Sequence, residues 1–163
     1  MADRLGCRKG IRVRTYLVIM DETDEARKAL RFASRRALTT GGNVHILALV
    51  AKQNFSAFGA VQATIEEEAR DRAEVLASSA AGNLFSESGK MPTISVKTGE
   101  GQAVIKDYLG EHPEVAALVL GAAAEGQPGP LISHFSAHSG SLPCPLYIVP
   151  GSFSNEEIDR LTA

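Results

Sequence analysis

Cysteine is scarce in this chain. Cys7 and Cys144, the only two among 163 residues, make no disulfide framework and show no metal-ligand spacing. An excess of one charge is missing as well. The formal net charge is −2, so no nucleic-acid or membrane-surface partner is expected. The longest apolar run, Val115 to Ala124, is far too short to span a bilayer. Arg4, Arg8 and Lys9 have no apolar stretch behind them, so no signal peptide is expected. Cys144 stands between Pro143 and Pro145 at a strand entrance, where it reads as a small buried thiol. These absences together predict a cytoplasmic protein. Catalytic signatures are missing too: no G-x-S-x-G elbow, no Walker lysine motif and no G-x-G-x-x-G fingerprint occur. There is no internal repeat and no low-complexity segment.

What is present is an alternation. The apolar fraction of 44% and charged fraction of 22% suit an ordinary globular domain of this length. Residues 1–12 read as a flexible arm. Thr15 to Met20 is a buried strand, broken by Asp21-Glu22-Thr23. Thr23 suits an N-cap, and Asp24 and Glu25 suit the first turn of a helix. Its core stripe is Ala26, Ala29, Leu30, Ala33 and Ala37; Arg35 and Arg36 are expected in its last turn, and Gly41-Gly42 stops it. Asn43 to Val50 is a second strand. Phe55 and Phe58 lie in the loop after it, at a pocket mouth or a subunit contact. A long helix follows, about Ala60 to Leu84, with Val61, Ile65, Ala69, Ala73, Leu76 and Ala80 on one stripe. Thr93 to Lys97 is a short strand, and a helix from about Gln102 to Glu111 ends before Pro113. Strands at Ala116–Leu120 and Leu146–Val149 flank a Gly-rich loop and a short helix. Ser154 with Glu157 is a capping box for a terminal helix. Such alternation predicts an α/β fold with a parallel sheet covered on both faces. The expected organisation is an arm (1–12), one domain (13–151) and a short helical tail (152–163).

Ligands of open parallel sheets bind beyond the carboxyl ends of the strands, where strand order reverses. Two strand exits stand out: Asp21 after the first strand and Gly121 after the fourth. The loop from Gly121 to Ser133 leaves a buried strand and feeds a helix N-terminus, which offers bare N–H groups to an anion. Plainer readings stand beside this one. Asp21 also reads as a helix-leading acid, Gly121 as a tight strand exit, and Gly129-Pro130 as a simple helix start. His134 and His138 lie four apart, but no third ligand follows at a fixed spacing, so no metal is expected.

The blocks YLVIMDETDEARKALRFA, VHILALV, VKTGEGQAVIKDYL, VAALVLGAAAEG and PCPLYIVP, in that order, resemble the universal stress protein family over about Arg14 to Pro150. The resemblance implies a doubly wound domain with a five-stranded parallel sheet in order 3-2-1-4-5. It implies a homodimer, and in many members an ATP site between strands one and four. Asp21 would orient the base or ribose, with Ile19 and Met20 beside it and Leu49 walling the adenine. Gly121, Gly126, Gly129 and Ser133 would face the phosphates, Leu120 and Ala124 would also belong to the cofactor site, and Mg would come only alongside the nucleotide. The family's phosphate motif is G-x-x-G-x(9)-G-[ST]. Gly121 matches its first glycine, Ala124 replaces the second, and Ile132-Ser133 stand opposite the final pair after a loop two residues shorter. A β-branched residue keeps the backbone farther from phosphate than glycine does.

Two functions therefore stay open. One is a non-catalytic regulatory domain holding an adenine nucleotide. The other is a family member without ATP that acts as a dimeric protein-interaction module, pairing through the apolar strand Leu146, Tyr147, Ile148 and Val149. A nucleotide α-hydrolase is a remote third, because Met20-Asp21-Glu22-Thr23-Asp24 puts acids where such enzymes need a phosphate loop.

Overall fold

The first strand, β1 (Thr15–Met20), is buried along its whole length, as its unbroken β-branched and apolar run requires of a central parallel strand. The computed structural model describes residues 13–52 and 59–163, without the side chains at 59, 60 and 62. The arm expected over 1–12 and the aromatics Phe55 and Phe58 lie outside the described residues. After β1 come α1 (Asp24–Thr40), β2 (Asn43–Val50), α2 (Gly59–Ser88), β3 (Thr93–Thr98), α3 (Gly101–Glu111), β4 (Val115–Ala122), α4 (Pro130–Ala137), β5 (Leu146–Pro150) and α5 (Asn155–Thr162). The sheet is parallel, in the order β3-β2-β1-β4-β5. The reversal of order falls between β1 and β4, as expected.

Alternate strand residues feed two cores. Tyr16, Val18 and Met20 pack with Val44, Ile46 and the alanine stripe of α1, under α2 and α5. Leu17 and Ile19 pack with Leu47, Leu118, Leu120 and the buried residues of α3 and α4. Alanine lets α1 lie close to the sheet: Ala29 and Ala33 have no exposed surface.

The helix ends follow local chemistry. Thr23 caps α1 by accepting from the Ala26 N–H, and Gly41 closes it in the left-handed conformation at φ 67°. Because α1 continues to Thr40, Arg35 and Arg36 sit a turn before its end, not in the last turn. On α2 the expected stripe meets the core at Ala73, Leu76 and Ala80 but not at its start. Val61 is exposed, and the helix anchors through Ala77, Ala80, Ala81 and Leu84 in its second half. The capping box on α5 is formed in both directions, Glu157 N–H to Ser154 Oγ at 3.1 Å and Ser154 N–H to Glu157 Oε2 at 2.7 Å. That helix is docked on α1. Arg31 grips Asp159 with two donors, at 2.9 and 2.6 Å, and Arg35 reaches it at 3.2 Å. Among the described residues no helix is long and apolar enough to cross a membrane.

Candidate functional site

The carboxyl ends of β1 and β4 frame a cleft. Parallel strands place Ile19 and Leu120 side by side on the α3/α4 face, where they form its apolar floor. Asp21, Thr23, Glu25 and Ala26 supply one wall, from the turn into α1 and its first helical turn. The Pro128–Ile132 segment, where the loop turns into α4, supplies the other. The enclosed volume is about 200 Å³. A neighbouring cavity of about 280 Å³ lies on the opposite side of Asp21 and Thr23, bounded by Met20, Leu49 and the α2 residues Ala69, Arg72 and Ala73.

The expected site residues thus divide. Ile19, Asp21, Leu120, Gly121 and Gly129 meet in the cleft. Met20 and Leu49 meet Asp21 in the neighbouring cavity instead. Met20 belongs to the α1/α2 core, on the other face of the sheet from Ile19, because adjacent strand residues point opposite ways. Ala124, Gly126 and Ser133 are exposed and line neither cavity. The loop folds across its own base, with the Ala123 N–H bonded to the Pro128 carbonyl at 3.3 Å. Ala122 then accepts from the Gly151 N–H at 2.7 Å.

Asp21 works on its own turn. Its Oδ1 accepts from the Thr23 N–H at 2.8 Å and from the Thr23 hydroxyl, which orients Thr23 to cap α1. Gly121 is a packing requirement. A Cβ there would lie 2.0 Å from the Glu25 carbonyl oxygen, so the first turn of α1 rests directly on the β4 backbone. That close approach brings Glu25, half-buried, to the cleft.

The electrostatics follow. Asp21 and Glu25 line the cleft, and the described lining residues include no lysine, arginine or histidine. On the α4 side Gly129 is the N-cap at φ 113°, and Pro130 follows at the first helical position. Proline has no N–H, and the Ser133 N–H is already bonded to the Gly129 carbonyl at 3.1 Å. Leu131 and Ile132 are left to present the free donors of the first turn. A lining that combines two acidic residues with the start of a helix and no basic side chain suits a ligand with little phosphate charge. It also suits hydroxyl donors, which a carboxylate accepts.

Sequence reasoning missed Glu25 and Leu131 as lining residues. It also missed a second constellation at the amino ends of the strands. His45, third in β2, bonds through Nδ1 to the Tyr108 hydroxyl at 2.9 Å, and His112 at the end of α3 bonds through Nδ1 to Glu114 Oε1 at 2.8 Å. Burial and the neighbouring His112 push the His45 pKa below its ordinary value. The His112 hydrogen bond holds the Glu114 carboxyl below the usual range. A His in a buried strand beside a His-Pro-Glu helix exit was the available signal.

A profile of the universal stress protein family matches residues 12–150. No curated protein matches the chain significantly by sequence. Among solved structures, a universal stress protein UspA from Lactobacillus plantarum is 22% identical, with 83% of this chain and 97% of that one covered and a TM-score of 0.72. A universal stress protein in complex with cAMP is 14% identical, with 85% and 98% covered and a TM-score of 0.60. A family protein from Arabidopsis thaliana with AMP bound is 14% identical, with 84% and 91% covered and a TM-score of 0.55.

Proposed function

This chain belongs to the universal stress protein family, and from that premise we propose that it is a cytoplasmic, non-catalytic regulatory domain that binds an adenine nucleotide with a short phosphate chain. The observation that carries this reading is the composition of the cleft at the β1/β4 reversal. It has an apolar floor of Ile19 and Leu120, the carboxylates Asp21 and Glu25, and the open first turn of α4. The floor suits a nucleoside. The carboxylates suit ribose hydroxyls or an exocyclic amine. The donors at Leu131 and Ile132 suit one phosphate group. A triphosphate would bring more negative charge toward Asp21 and Glu25, with no lining cation to offset it. Mg would be needed to carry ATP here. Relatives of the same fold bound to cAMP and to AMP are consistent with this choice.

The test is direct. Purified protein is denatured and any released nucleotide identified, and thermal unfolding is then followed with AMP, cAMP or Mg-ATP. A ligand at a hundred times its Kd stabilises the folded state by about 2.7 kcal/mol. For a domain of this size that is a rise of several degrees. The reading predicts a larger rise with AMP or cAMP than with ATP. No released nucleotide and no rise at millimolar concentrations would leave the interaction-module reading in its place.

A dimer through β5 has its own support. β5 is an edge strand, and Tyr147 and Ile148 on it are 40% and 42% exposed. An apolar edge with free N–H and C=O groups favours pairing with a second copy. Replacing Ile148 with Asp should shift the protein to monomer in light scattering while its circular dichroism is unchanged. A variant that stays dimeric removes β5 from the interface.

A further inference from the structure

We propose that His45, His112 and Glu114 form a binding site for a borderline divalent cation of the zinc class, at the end of the sheet opposite the nucleotide cleft. One ligand atom from each of the three residues lies within 4.8 Å of the others. They come from different elements: β2, the exit of α3, and the approach to β4. The fold therefore assembles the cluster, and no local run of acids does. Two imidazoles and one carboxylate are the donor set that zinc takes when it keeps a fourth position for water. Nitrogen donors favour zinc, cobalt or nickel over magnesium and calcium, which prefer oxygen alone.

Outer contacts support the assignment. The His45 Nδ1 is engaged by the Tyr108 hydroxyl at 2.9 Å, and Tyr108 is itself buried. With Nδ1–H donating to that oxygen, the other ring nitrogen carries a free lone pair. Metal-bound histidines have this kind of partner, which fixes tautomer and ring orientation. The Tyr108 ring stacks on His112 at 4.1 Å and so positions the second histidine as well. The His45 and His112 rings meet edge-on with centroids 5.6 Å apart. Glu114 is exposed, which leaves solvent access for a cation.

The movement required is small. Ligand atoms around a tetrahedral ion with bonds of about 2.1 Å stand about 3.4 Å apart. The 4.8 Å limit must therefore close by about 1.4 Å at most. Rotation of the exposed Glu114 and the half-buried His112 can supply this, with His45 as the fixed anchor. His134 and His138 are the competing pair. Their rings stack at 4.4 Å, and the His138 Nδ1 is bonded to the His134 carbonyl at 2.8 Å.

The experiment titrates chelator-treated full-length protein with Co2+, read by its visible absorption, and then displaces it with Zn2+. The expected result is one ion per chain with the intense bands of low coordination number, and a higher melting temperature with Zn2+. His112→Ala and Glu114→Gln should each weaken binding tenfold or more while circular dichroism stays native. Both lie outside the strands, so they test the site even if a His45 variant fails to fold. His134→Ala with His138→Ala should bind as the wild type does. Absence of stoichiometric binding to the wild type, equal binding to His112→Ala, or loss of binding in the His134/His138 variant would each overturn the assignment.

Discussion

Gly121 and Asp21 each carry a structural duty that is separate from any ligand. A methyl group on Gly121 would collide with the backbone of Glu25, which cannot swing away as a side chain can. Gly121→Ala is therefore expected to cost at least about 2 kcal/mol, read by urea unfolding, as overpacking of a rigid contact does. Asp21→Ala releases Thr23 and weakens the α1 cap, at a cost of about 1 kcal/mol in the same measurement. A cost that vanishes in both variants would contradict this account of the β1/β4 junction. Thr23 and Gly121 were legible in the sequence because caps and strand exits follow local rules. Glu25 was not. In the sequence it is one more acid in a first helical turn, and only the contact of α1 on β4 brings it to the cleft. His45 was hidden for a similar reason. Its partners Tyr108, His112 and Glu114 lie more than sixty residues away in sequence.

At the level of elements, α5 is held to the domain by Ile158 buried in the core, by the Thr39 hydroxyl donating to the Thr162 carbonyl at 3.0 Å, and by one acid set between two arginines. The Arg31 guanidinium holds the Asp159 carboxyl below its ordinary value, against a smaller effect of burial. The folded state thus binds the proton more weakly than the unfolded chain does. The contact contributes its full stability above the ordinary carboxyl range and loses it as pH falls through the lowered value. Acid titration of the melting temperature should show this loss, and Asp159→Asn should be less stable at neutral pH with a flatter acid limb. Equal slopes for the two proteins would show that the contact does not hold α5. The sequence displayed the capping box of α5 but not its docking, because neither Arg31 nor Asp159 belongs to a periodic pattern. The α2 stripe meets the core from Ala73 to Ala80 and departs from expectation at Val61. A helix longer than the sheet it covers buries only part of its apolar face, so Val61 stays exposed.

The whole molecule is the expected doubly wound sheet, and its strand order decides where chemistry can gather. The reversal between β1 and β4 opens the cleft, and the short Gly-Pro loop narrows what it can hold. The fold was readable because five strand–helix units appear in order along the chain. The ligand class was not, because it depends on which loop residues face inward, and Ala124, Gly126 and Ser133 do not line the cleft. Its acidic wall is the basis for preferring a nucleotide with little phosphate charge. The most direct measurement is therefore the ratio of AMP to ATP affinity, by calorimetric titration, in the wild type and in Glu25→Gln. The wild type should prefer AMP, and removing one carboxylate should improve ATP binding by roughly threefold to tenfold, with a smaller change for AMP. Equal affinities in the wild type, or a ratio unmoved by Glu25→Gln, would contradict the account.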